Sequence, residues 1–154
     1  METKVKDSIK EQINKLKKEN NAVILAHYYV SGDIQDIADY VGDSFYLSKI
    51  ATQTDADVIV MCGVEFMGES AKLLNKDKTV LLPDTNADCP MAHMCDADKI
   101  KIVRDTYDDV AVVCYINSTA ELKSLSDVCV TSANAKKVVE NLPNKNIYFI
   151  PDEN

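Results

Sequence analysis

His27 and Tyr29 stand two residues apart at the end of the apolar run AVILA (Ala22–Ala26). Alternation along a strand would aim both side chains at one face, where they could act as an acid/base pair. A lone histidine at a strand end is otherwise a structural residue. A second apolar run, VAVVC (Val110–Cys114), leads into Tyr115, Ile116 and Asn117. Ser44 and Ser132 each stand where a helix is expected to begin. A carboxylate or phosphate could rest on those helix N-termini; a plain helix cap is the alternative reading for each serine. The remaining strand ends offer Tyr28, Asp43, Glu65, Asp84, Thr131 and Asp152. The chain contains no G-x-S-x-G, no G-x-x-x-x-G-K-[ST] and no G-x-G-x-x-G, which removes the commonest hydrolase, nucleoside-triphosphate and dinucleotide signatures.

These residues recur at a fixed offset. NAVILAHYY (Asn21–Tyr29) falls on DVAVVCYIN (Asp109–Asn117), DYVGDS (Asp39–Ser44) on DVCVTS (Asp127–Ser132), and DVIVMCGVE (Asp57–Glu65) on KNIYFIPDE (Lys145–Glu153). The offset is 88 residues in every case, as from 27 to 115 and from 44 to 132. A repeat that keeps its polar tips as well as its apolar core suggests a site at the interface between copies.

The elements that must position these tips alternate along the chain. Helices are expected over about 3–19 (Val5, Ile9, Ile13 and Leu16 on one face), 33–38, 44–53, 65–74, 97–107, 119–125 and 133–141. Strands are expected at 22–26, 40–41, 58–61, 79–82, 110–114, 128–130 and 146–150. Asp33, Ser44 and Ser132 are the expected caps of their helices. Alternation of this kind implies parallel sheets with right-handed crossovers, hence α/β folding in three-layer α/β/α units. Two such units are expected, over 1–90 and 91–154, the second incomplete at its C-terminus.

Composition narrows the partners. The chain has 154 residues, 46% of them hydrophobic, and a net charge of −8. That charge argues against nucleic acid or an anionic membrane. No apolar run approaches the roughly 20 residues of a membrane span, and the amphipathic N-terminal segment lacks the apolar core of a signal peptide. A cytoplasmic location is therefore expected. Five cysteines, an odd number with no export signal, make disulfides an unfavoured expectation. Cys62, Cys114 and Cys129 fall in or at the end of apolar strands and read as buried small hydrophobes. Cys89 and Cys95 flank His93 in the loop DTNADCPMAHMCDAD. A C-x5-C pair with an intervening histidine admits a zinc site without matching a usual spacing.

Several blocks resemble one family: HYY (27–29), GDS (42–44), MCGVEFMGESAKLL (61–74), LLPDTNADCPMAHM (81–94), YINSTAELK (115–123), SDVCVTSANA (126–135) and FIPDEN (149–154). In this order they resemble quinolinate synthase, over nearly the whole chain beyond the first helix. The resemblance implies three pseudo-symmetric α/β/α domains around a central cavity, of which about one and three-quarters would be present. It implies condensation of iminoaspartate with dihydroxyacetone phosphate to quinolinate, the precursor of NAD, at a [4Fe–4S] cluster held by one cysteine from each domain. Carried over by position, Cys89 matches the first cluster cysteine and Cys95 matches none. His27 and Tyr29 match the family's H-x-Y, and Tyr115 and Asn117 its Y-x-N. Ser44 and Ser132 match its helix-opening serines. The implied catalytic residues are His27, Tyr29 and Tyr115, and all six would contact substrate. The resemblance also admits L-aspartate oxidase as a partner.

Val30 stands where the family usually has glutamine, and Asp88 where it usually has glycine. A carboxylate beside a negatively charged cluster is unfavourable unless it points away. By the 88-residue offset the second cluster cysteine is expected near position 177. The chain is accordingly expected to be inactive alone, a fragment or one half of a split enzyme that needs a complementing C-terminal half or self-association. Two other readings stay open: an iron-free module binding a dicarboxylate or phosphate, and a metal or redox sensor built on Cys89, His93 and Cys95.

Overall fold

Short apolar runs alternating with helix-period segments fold into two parallel sheets. The computed structural model describes residues 2–151, so Asp152 and the close of FIPDEN lie outside the described residues. The chain divides into two compact units, Met1–Ala87 and Asp88–Asn154.

The first unit runs α1 (Glu2–Glu19), β1 (Ala22–His27), α2 (Gly32–Gln35), β2 (Tyr40–Gly42), α3 (Ser44–Gln53), β3 (Val58–Cys62), α4 (Glu65–Leu74) and β4 (Thr79–Leu81). Its strands pair in parallel in the order β2-β1-β3-β4. Successive side chains of a strand point to opposite faces, and here the two faces differ. Leu25, Ile59 and Met61 are fully buried, as are Leu47 and Ala51 of α3 and Ala71 of α4. On the face toward α1 and α2, an apolar groove of about 620 Å³ is lined by Ile13, Leu16, Ile24, Ile37, Val60 and Leu81, among others. The expected apolar stripe of α1 is only partly used: Val5, Ile9 and Leu16 are at least half exposed.

The second unit opens with a 3-10 turn over Pro90–His93, unanticipated from the sequence. It continues α5 (Ala97–Thr106), β5 (Val110–Tyr115), α6 (Ala120–Ser124), β6 (Val128–Val130), α7 (Ala135–Asn141) and β7 (Asn146–Ile150). The strand order is β6-β5-β7, again parallel. Cys95, Ile100, Val112, Cys114, Leu122 and Ile150 form one core cluster, with Tyr148 packed against it.

The sequence repeat is reproduced in strand register. Leu25 pairs with Tyr40 as Val113 pairs with Val128, and Ala22 pairs with Val58 as Val110 pairs with Asn146. Both members of each pair are displaced by the same 88 positions.

The three expected caps differ from the structure. The α2 N-cap is Ser31, without a side-chain bond. Asp33 lies one step inside, because Lys6 of α1 draws its carboxylate into an ion pair at 2.7 Å. The α3 N-cap is Asp43, whose carboxylate accepts from the Tyr46 amide at 2.7 Å. A charged acceptor at the positive end of the helix displaces Ser44 to the first helical position. Helix α7 starts two residues later than expected. Asn134 Oδ1 accepts from the Thr131 amide at 2.7 Å and holds 131–134 as a turn, so Ser132 precedes the helix.

Candidate functional site

In the first unit the candidate residues gather at the carboxyl edge of the sheet, where parallel α/β units present their functional groups. His27 is the last residue of β1 and pairs in register with Gly42, two residues before Ser44. Because β1 ends there, Tyr29 is a turn residue rather than the next same-face strand position. The turn still folds it back. Its amide donates to His27 Nδ1 at 3.2 Å, and the rings of His27 and Tyr29 lie 4.7 Å apart. Tyr28 stacks on His27 at 4.6 Å with an interplanar angle of 27°, and meets Tyr29 edge-on.

This packing sets the protonation state of the imidazole. With Nδ1 accepting a backbone amide, the neutral ring carries its proton on Nε2. Burial lowers the His27 pKa below its ordinary value, and the Asp43 carboxylate opposes part of that effect. Tyr28 is pushed the other way, chiefly by its hydrogen bond to the Tyr29 hydroxyl. Tyr29 is 82% exposed, free to meet a ligand. Ser44 is half-buried at the first position of α3. Its carbonyl accepts from Ser48 Oγ at 2.7 Å.

In the second unit Tyr115, Asn117 and Ser132 converge on one cavity of about 360 Å³, with Met91, Ala135, Phe149 and Pro151 completing its walls. Tyr115 ends β5, and its hydroxyl lies 2.8 Å from Ser132 Oγ. Two hydroxyls and an amide thus face a space otherwise walled by apolar side chains, an arrangement suited to a small oxygen-rich ligand. Sequence reasoning placed Pro151 at a strand end but missed Met91, Ala135 and Phe149. Only the position of Phe149 on a strand paired with β5 hinted at its place.

Cys89 is half-buried and precedes the 3-10 turn. Asp88 does not hang free beside it. One carboxylate oxygen accepts from the Cys89 amide at 2.7 Å, and the other lies 2.7 Å from His93 Nε2. His93 is therefore engaged by Asp88, while Cys95 is buried in the core cluster with its sulfur 3.7 Å from the Tyr148 hydroxyl. No group of three or more metal-ligating side chains occurs among the described residues. In the alternative reading of a Cys89–His93–Cys95 sensor, Cys95 would have to leave the core cluster into which it packs. A half-buried thiol such as Cys89 suits one ligand position of an iron–sulfur cluster, which takes its remaining ligands from other cysteines. Among the described residues no helix is long and apolar enough to cross a membrane.

Comparison with known proteins agrees with this geometry. The family model described as "NadA: Quinolinate synthetase A protein" matches residues 11–154. A quinolinate synthase of Fusobacterium nucleatum is 60% identical over 146 residues, 95% of this chain and 49% of that protein. One from Clostridium perfringens is 55% identical over 95% of the chain and 48% of its own length. One from Caldicellulosiruptor saccharolyticus is 51% identical over 96% and 49%. The chain spans about half the length of the curated relatives it matches. With a family match over nearly its whole length, repeated parallel α/β units and polar strand ends, this chain belongs to the quinolinate synthetase A family.

Proposed function

We propose that this chain supplies two of the α/β units of a quinolinate synthase, which condenses iminoaspartate with dihydroxyacetone phosphate to quinolinate for NAD biosynthesis. The observation that carries the reading is the convergence of Tyr115, Asn117 and Ser132, all assigned from the sequence, on one cavity. Family membership supplies the reaction class.

In this reading the Ser132 and Tyr115 hydroxyls and the Asn117 amide hold carboxylate or phosphate oxygens of the substrates. Ser44, at the first turn of α3, does the same in the first unit, where the helix dipole favours negative charge. His27, neutral and with its proton on Nε2, donates to a substrate oxygen. Tyr29, exposed beside it, relays protons during condensation and loss of water. Cys89 would hold one iron of a [4Fe–4S] cluster, and when bound that cluster supplies a Lewis-acidic iron for a substrate carboxylate. Such a cluster takes its remaining ligands from other cysteines.

The test is a chimera of the Fusobacterium nucleatum relative in which this chain replaces the matching half, assayed anaerobically for quinolinate. The chimera should be active, Cys89→Ser should abolish both its brown colour and its activity, and Cys95→Ser should retain both. A folded, iron-loaded chimera that makes no quinolinate would refute the proposal. The cavity lies wholly within one unit, which also favours a narrower reading as an anion-binding module. That reading requires malate or phosphate affinity that survives Cys89→Ser without iron.

A further inference from the structure

Two cysteines read from the sequence as inert core residues meet across a pair of strands. Cys114 of β5 and Cys129 of β6 are partners in the parallel register. Side chains paired in this way leave the same face of the sheet, which sets the two thiols on neighbouring strands side by side. Paired strands lie about 4.8 Å apart, inside the roughly 4.4–6.8 Å between Cα atoms that a disulfide spans. Strand β6 is the sheet edge. Cys129 is accordingly exposed, whereas Cys114 is fully buried.

A second observation concerns Ser118. Its hydroxyl is fully buried and, among the buried side-chain oxygens and nitrogens of the described residues, is the one without a hydrogen-bond partner. An orphaned buried donor is costly unless something accepts from it. The Ser118 hydroxyl lies near the Cys114 sulfur, whose thiol donates to the Tyr115 carbonyl at 3.4 Å. Ser126, which also lies against Cys114, already donates to the Leu122 carbonyl at 2.7 Å. The Cys129 contact, with Ser118, Ser126 and nearby Lys123, pulls the Cys114 thiol down to about 6 against its burial, while the Cys114 contact and burial push Cys129 up.

We propose that Cys114 and Cys129 form a peroxide-reactive thiol pair that closes reversibly into a disulfide. The oxidant is hydrogen peroxide or another hydroperoxide. The exposed Cys129 thiol attacks a peroxide oxygen, the O–O bond breaks, and the thiol proton leaves with the departing oxygen as water, so Cys129 becomes a sulfenic acid. The Cys114 sulfur then displaces the hydroxyl from Cys129, its proton leaving with that oxygen as water. Two thiols lose two electrons and the peroxide gains them. The bond would clamp β5 to β6 one residue before Tyr115 and three before Ser132, whose hydroxyls share the candidate cavity. Neither the chemistry nor its test depends on the proposed condensation reaction.

The test exposes the full chain to hydrogen peroxide, alkylates the remaining thiols and digests with trypsin. Cleavage after Arg104, Lys123 and Lys136 separates the two cysteines, so a disulfide joins peptides 105–123 and 124–136 with the loss of two hydrogens. That joined species should form, and a dithiol reductant should reverse it. In Cys114→Ser the reaction should stop at a Cys129 sulfenic acid trapped by dimedone, and in Cys129→Ser the buried Cys114 should stay unmodified. Retention of both thiols while Cys62 or Cys89 is modified would overturn the proposal. Equal trapping at Cys129 with and without Cys114 would remove its assigned role as resolving thiol.

Discussion

Asp39 and Asp127 make the same pair of backbone hydrogen bonds in the two units, 88 residues apart. The Asp39 carboxylate accepts from the Ile24 amide at 2.8 Å while its own amide donates to the Ile24 carbonyl at 2.9 Å. Asp127 does so with Val112 at 2.7 and 2.9 Å. Each also meets a cation from the helix that precedes the central strand: Lys17 at 2.7 Å and Arg104 at 3.0 Å. The aspartate therefore fixes where the second strand of each unit joins the first, and with it the offset between His27 and Gly42 or Tyr115 and Val130.

Replacing either aspartate by alanine leaves a strand amide short of its acceptor. Each change should cost about 1–3 kcal/mol, read as a lower urea midpoint at unchanged slope. Lys17→Ala removes only the partly exposed ion pair and should cost about 0.5 kcal/mol. Equal losses for Lys17→Ala and Asp39→Ala would assign the effect to the cation instead.

Tyr115 and Ser132 should matter for ligands more than for folding. Their hydroxyls share one bond at the rim of a cavity, so Ser132→Ala should shift stability by about 1 kcal/mol or less. Affinity for malate or inorganic phosphate should fall about tenfold, equal to roughly 1.4 kcal/mol, and Asn117→Ala should act in the same direction. Titration followed by amide chemical shifts checks this; shifts confined to other parts of the unit would count against the cavity.

The His27 imidazole should titrate below its ordinary value because burial disfavours the charged ring. With the folded pKa depressed, the unfolded chain binds more protons just below about 6.5. Stability is then fully present above that value and falls as pH drops toward the folded pKa. His27→Gln should flatten this slope. Asp43→Asn should lower the imidazole pKa further, since the carboxylate favours the charged ring. Imidazole proton shifts measured against pH would show both.

Gly42 is set by close approach rather than by a turn. A Cβ there would lie 2.2 Å from Cδ1 of Tyr46, so Gly42→Ala must displace that ring at the start of α3. The cost should be about 1–3 kcal/mol. Tyr46→Ala in the same chain should recover much of it, and a thermodynamic double-mutant cycle measures the coupling.

The sequence by itself determined the elements and their repetition. Helices 44–53 and 65–74 and strands 128–130 and 146–150 form over the residues expected, because hydrophobic period and chain direction are local properties. The 88-residue offset was likewise legible, since a repeated unit must repeat its register. Tertiary structure decided the rest. Whether Asp43 or Ser44 caps α3 depended on which acceptor reached the Tyr46 amide. Tyr29 reached His27 through a turn rather than along a strand. Cys95 went into the core while Cys114 met Cys129. The cavity around Tyr115, Asn117 and Ser132 gained its walls from Met91, Phe149 and Pro151. The first two outcomes are local choices between competing acceptors and turns; the last two are contacts between residues farther apart in sequence, which are fixed only when the sheets pack.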